Sequence, residues 1–155
     1  MDPIEELRYR VLAIQRDGNR QLAALLRPLG VTPAQAEVLR VLADVERPLT
    51  VKQVGELLVC EPGSPSRLVA SLVKAGLVSR GPHPDDARAA DLELTATGER
   101  TAAKVRDVEE RLYGVLRERL GSARAIGDAL RFARRLTGDG ASAAALNRRL
   151  GADER

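Results

Sequence analysis

Between Ser64 and Lys74 the residue types are arranged as a groove-reading helix requires. Leu68, Leu72 and Val69 recur at helical spacing on one side, while Ser64, Ser66, Arg67, Ser71 and Lys74 fall mostly on the other. Short hydroxyls donate or accept hydrogen bonds. A guanidinium forks onto guanine or phosphate. Lys52, upstream, adds a cation for phosphate contact. The same pattern also describes an ordinary solvated helix face, and the neighbouring elements decide between the two readings.

The second constellation is the loop GPHPDDARAA, residues 81–90, in which Arg88 is the one strong cation. A hairpin loop of this kind can place an arginine in the DNA minor groove, where the narrow groove concentrates negative potential. Asp86 is spaced to pair with Arg88 or another arginine and stiffen the loop. A plain turn with a surface ion pair worth ~0–1 kcal/mol is the simpler alternative.

These residues need elements to position them. Asp2 and Pro3 open a first helix running to Leu26, with Ile4, Leu7, Val11, Ile14, Leu22, Leu25 and Leu26 on its apolar side. Thr32, Pro33 and Gln35 form a capping-box start for a second helix reaching about Asp44. Arg47, Pro48 and Leu49 read as an extended connection. Thr50 and Gln53 repeat the capping box and open a third helix to about Leu58. A turn at Val59, Cys60 and Glu61 leads to the fourth helix, which ends at Ala75 before Gly76. Either Glu61 caps it with Pro62 at its first position, or Ser64 caps it with Pro65 there. Leu77 to Arg80 and Asp91 to Leu94 alternate as strands do. Thr95 caps a fifth helix to about Leu120, and a sixth covers Ala123 to Leu136. Residues 137–155 read as a loose C-terminal tail, with at most a marginal turn or two between Ala143 and Leu150.

Helix, turn, helix and hairpin make a mainly α fold with a small β-hairpin, a winged helix-turn-helix. The expected organisation is a single domain over 1–136. Its winged-helix lobe spans about 32–95, with flanking helices over about 3–27 and 96–136. Those flanking helices carry apolar stripes that so small a lobe cannot cover, which predicts a two-fold homodimer.

Composition sets the exclusions. The chain has 155 residues, 44% hydrophobic and 30% charged, with no apolar run of the ~20 residues that span a bilayer, so no membrane partner is expected and the cytoplasm is the expected compartment. Aromatic residues make up 2%, too few for the stacking platforms that hold single-stranded nucleic acid. One cysteine excludes an intramolecular disulfide framework. One histidine and one cysteine cannot supply the three or four ligands of a transition-metal site, so neither metal nor cofactor is expected. No nucleophile–base set, phosphate-binding glycine loop or paired-carboxylate cleft stands out, and an enzyme is not expected. Cys60 reads as a small buried hydrophobe rather than a redox sensor. Charge is less helpful. The net charge is +3, yet from Glu61 to Leu94 four cations face five carboxylates, a net −1. Affinity for phosphate must therefore draw on Lys52 and on arginines outside the module.

The run Ser66-Arg67-Leu68-Val69-Ala70-Ser71-Leu72-Val73-Lys74-Ala75-Gly76-Leu77-Val78 resembles the recognition helix and Gly-Leu-Val exit of the MarR-type transcriptional regulators. Asp86-x-Arg88 followed by Leu92-x-Leu94-Thr95 and Gly98 is similar to that family's wing signature. With the helices on both sides, the resemblance covers nearly the whole chain to about Leu136. It implies a dimeric repressor or activator on a pseudo-palindromic duplex, often released by a small phenolic or anionic effector. On the same resemblance Ser66 and Arg67 read bases or phosphates and Arg88 enters the minor groove. Pro62, Gly63 and Pro65 depart from the family pattern at the start of the recognition helix. No effector residues are identified by sequence; Tyr9, Arg10, Arg16 and Tyr113 are only candidates. The alternative is a winged-helix module for protein–protein contact, with DNA binding lost.

Overall fold

The structure, a computed structural model, describes residues 1–45, 47–60, 63–83 and 89–152. Seven helices are described: α1 (Pro3–Leu26), α2 (Pro33–Asp44), α3 (Val51–Leu57), α4 (Pro65–Lys74), α5 (Ala96–Leu120), α6 (Ala123–Leu136) and α7 (Ala141–Ala152). Three strands, β1 (Leu49–Thr50), β2 (Val78–Pro82) and β3 (Ala90–Leu94), form an antiparallel sheet in the order β1-β3-β2.

The helix starts follow from their caps. Thr32 Oγ1 accepts from the Gln35 backbone N–H at 3.2 Å, and Gln35 Oε1 accepts from the Thr32 N–H at 2.9 Å. Thr50 and Gln53 do the same at 3.3 and 2.8 Å. Each box satisfies two backbone donors that the first helical turn leaves without partners. Of the two possible starts for α4, the structure takes Ser64 as cap with Pro65 in the first turn.

The core lies inside the lobe. Val38 and Leu39 of α2, Leu49 of β1, Val54 of α3, Val69 and Leu72 of α4, Val78 of β2, Leu92 of β3 and Val105 of α5 are all buried. Val69 lies deeper than Leu68, which is only half-buried, so the inward face of α4 is turned slightly from the sequence expectation. The expected extended connection at Leu49 is a third strand, because Leu49 pairs with Leu92 and Thr50 with Asp91. Ala102 and Val108 of α5 are buried with that core, so the first half of α5 is lobe as well as flank.

Residues 137–155 were expected to be a loose tail. Instead 141–152 form a helix of twelve residues packed on α3, with Ala143 and Ala145 buried. Alanine is the best helix former, and its small side chain lets two helix backbones approach closely. A run of alanines gives little apolar periodicity, so it reads as featureless in sequence.

Candidate nucleic-acid interface

The helix-turn-helix is built from α3, the connection 58–64 and α4. Glu37 of α2 holds the connection. Its Oε1 accepts from the Val59 N–H at 2.8 Å and its Oε2 from the Cys60 N–H at 3.0 Å. Arg149 of α7 reaches the same Oε1 at 3.0 Å. One carboxylate thus ties α2, the turn and α7 together. Sequence reasoning missed it, because the only signal is a charge among the buried positions of α2.

Beyond the turn, Ser64 Oγ accepts from the Arg67 N–H at 3.4 Å and starts α4. The exposed stripe of α4 comprises Ser66, Arg67, Ala70 and Lys74. Lys52 is exposed on α3, and it lines one cleft with Ser66. Among the described residues, Lys52, Arg67 and Lys74 have no carboxylate partner. Ser64 and Ser71 stand apart from this stripe. Ser64 is occupied as the cap. Ser71 is half-buried; its hydroxyl donates to the Leu68 carbonyl at 2.6 Å and accepts from Gln35 Nε2 at 2.9 Å, which fastens α4 to α2. Ala70 was not singled out by sequence, yet its methyl lies in the stripe, where it can meet a thymine methyl.

The exit of α4 is equally fixed. Gly76 takes φ 70°, a left-handed value that glycine adopts without a Cβ penalty. The Leu77 N–H returns to the Leu72 carbonyl at 3.0 Å. Thr95 Oγ1 donates to the Gly76 carbonyl at 2.7 Å and accepts from the Gly98 N–H at 3.0 Å. A Cβ on Gly98 would lie 1.9 Å from the Leu77 carbonyl oxygen, so this approach admits only glycine. The wing strands pair in register from Val78 with Leu94 to Pro82 with Ala90. His83 is half-buried, with Nε2 3.8 Å from Asp91 Oδ1. Asp86 and Arg88, the wing-tip candidates, lie outside the described residues.

A cleft of about 440 Å³ lies where α1, α2, α5 and α7 meet, lined by Glu37, Arg40, Cys60, Glu109, Tyr113 and Arg149 among others. Arg40 Nε pairs with Glu109 Oε2 and its Nη2 with Asp44 Oδ1, each at 3.2 Å. Arg40 Nη1 is buried and has no hydrogen-bond partner among the described residues. Burial raises the Glu109 carboxyl above its usual value, and the Arg40 charge opposes that rise. Of the sequence candidates for an effector site, Tyr113 lines this cleft; Tyr9, Arg10 and Arg16 do not. The Cys60 thiol is pushed up to about 12, first by burial and then by its hydrogen bond to Glu37. It stays protonated at neutral pH, consistent with its reading as a structural residue.

Three packed helices carrying an antiparallel wing, with an exposed polar helix face between turn and wing, define the winged helix-turn-helix class. Residues 29–89 match the MarR family. The organic hydroperoxide resistance transcriptional regulator of Bacillus subtilis (strain 168) is 27% identical over 113 residues, covering 73% of this chain and 76% of the relative. A mutant MarR from E. coli complexed with operator DNA superposes with a TM-score of 0.76 at 24% identity, over 89% of this chain and all of that one. The S. aureus MepR-DNA complex gives 0.75 at 18% identity, over 83% of this chain and 94% of that one. These structural likenesses show the fold.

Proposed function

We propose that the protein binds duplex DNA as a homodimer and that a small molecule bound at the α1/α2/α5 cleft tunes that binding. The observation that carries the DNA reading is the stripe Ser66, Arg67, Ala70 and Lys74. It is exposed on a helix anchored at both ends, and its cations are left without carboxylate partners among the described residues. Arg67 and Ser66 read bases or phosphates, Lys74 and Lys52 take phosphates, and Arg88 extends the contact from the wing tip into the minor groove, stiffened by Asp86. Ser64 and Ser71 act by fixing α4. The two B. subtilis and E. coli proteins named above, one a transcriptional regulator and one solved with operator DNA, support the reading.

The dimer reading rests on apolar surface that the single chain leaves uncovered. Leu130, Phe132 and Leu136 of α6 and Ile4 and Ile14 of α1 are exposed. Large apolar side chains left exposed on two flanking helices support association, and a second copy offering the same helices covers them. In the cleft, Arg40 Nη1 is a buried donor that a ligand oxygen satisfies, and the exposed Tyr113 ring provides an apolar wall. Among the described residues no helix is long and apolar enough to cross a membrane. The proposed role places the protein in the cytoplasm with its DNA and assigns it no catalytic step.

Selection from a random duplex library tests the DNA reading. An enriched site is expected, with Arg67→Ala weakening binding to it about 5- to 150-fold, since a bidentate base contact is worth ~1–3 kcal/mol. No enrichment at low salt overturns it and leaves the protein-contact alternative. Light scattering tests the dimer, and a stable monomer at micromolar concentration refutes it.

A further inference from the structure

The lobe's own charge does not favour DNA, since the segment 61–94 carries a net −1. Cations must come from elsewhere, and α7 brings one to the right place. Arg148 is exposed on α7, beyond the family-matched segment. Its Nε donates to the Glu56 carbonyl at 2.9 Å, in the last turn of α3. Carbonyls there lack helical partners and carry the negative end of the helix dipole, so they hold a guanidinium in place. The remaining N–H groups of Arg148 have no carboxylate partner among the described residues. Arg148 lines the same cleft as Lys52 of α3 and Ser66 of α4, two residues of the proposed DNA face. The docking of α7 is secured independently, by buried Ala143 and Ala145 and by the ion pair of Arg149 with Glu37.

We infer that Arg148 is a phosphate-contacting residue of the DNA interface, delivered to the edge of the helix-turn-helix by the C-terminal helix. The inference rests on the DNA reading above. Nε anchors the side chain to α3, and the outer edge of the guanidinium meets a backbone phosphate next to the one taken by Lys52. The contact is to phosphate, so it adds affinity without sequence information. It supplies a cation that the lobe lacks.

The test is fluorescence anisotropy of the full-length protein on its selected duplex and on a scrambled duplex, from 50 to 200 mM salt. One phosphate contact per protomer contributes about 0.9 to the slope of log affinity against log salt, hence about 1.8 for a dimer. For Arg148→Ala the slope is expected to fall by that amount, and over this fourfold salt range the variant loses about tenfold less affinity than wild type. The loss at low salt is the same factor on both duplexes, and Arg148→Lys restores the slope. An unchanged slope in Arg148→Ala, even with a lowered melting temperature, shows a helix cap only and overturns the assignment. A loss confined to the selected duplex also overturns it. If wild type binds no duplex while remaining folded, the DNA reading fails and the assignment with it. Wild-type binding with an unaltered Arg148→Ala slope removes the assignment alone.

Discussion

Replacing Glu37 by alanine tests the architecture of the DNA lobe at its most connected atoms. The substitution removes the acceptor of the Val59 and Cys60 N–H groups and the ion partner of Arg149. An unsatisfied buried donor costs ~1–3 kcal/mol, and both residues are half-buried, so about 0.5–1.5 kcal/mol each is appropriate. The Glu37 side chain is 15% exposed and that of Arg149 33%, so the pair lies between a surface and a buried bridge and contributes about 1 kcal/mol after screening. The total is about 2–4 kcal/mol. For a chain of this size 1 kcal/mol moves the melting temperature by about 2–4 °C, so Glu37→Ala is expected to lower it by roughly 4–16 °C. Calorimetry at fixed protein concentration reads this without interference from dimer mass action. Glu37→Gln keeps one acceptor and should lose about half as much. Amide exchange adds the local signature: the Val59 and Cys60 protons lose protection in Glu37→Ala. A melting temperature within about 2 °C of wild type, with both amides still protected, would show that the carboxylate does not hold the turn.

Other outcomes follow from single contacts. Cys60 should be alkylated about thirty- to sixtyfold more slowly than an ordinary thiol at pH 7.5. Raising its pKa from 9.0 to about 12 removes three decades of thiolate, of which higher nucleophilicity returns about 1.2–1.5. The folded state favours the neutral thiol. That stability is therefore complete below pH 9.0 and is lost as pH rises through about 12, and the alkylation rate should climb across that window without an inflection near 9. Gly98→Ala places a methyl on the Leu77 carbonyl and should cost about 3 kcal/mol or more, measured by urea unfolding; a loss below about 1 kcal/mol contradicts the close approach. Ser71→Ala frees Gln35 Nε2 and should cost about 1 kcal/mol of stability. Arg40→Ala should weaken any effector that shifts the melting temperature, with an unchanged shift arguing against the α1/α2/α5 cleft.

Much of the fold is legible because local side chains mark it. Thr32, Thr50, Ser64, Thr95 and Ser122 each accept a backbone N–H at a helix start, and such caps announce themselves in sequence. What stays hidden depends on contacts across long sequence distances. Arg149 meets Glu37 from 112 residues away. The α7 contact is made by alanine methyls, which leave no stripe to read, and strand β1 has two residues, too short for alternation to register. The spacing puts Ser66, Arg67 and Lys74 on the solvent side of α4, where the structure has them exposed, but types alone cannot separate Ser66 from Ser71, whose hydroxyl belongs to Gln35.

Helix α5 begins where the wing ends, jammed by Gly98 against Leu77, and its 25 residues make a rod about 37 Å long. Such a rod is a lever with one end built into the wing. A tilt of only about 5° at the far end sweeps the wing through about 3 Å, close to the ~3.4 Å rise of one base pair. Under the proposed DNA reading, small displacements of the flanking helices are therefore large enough to move the wing by about one base-pair step.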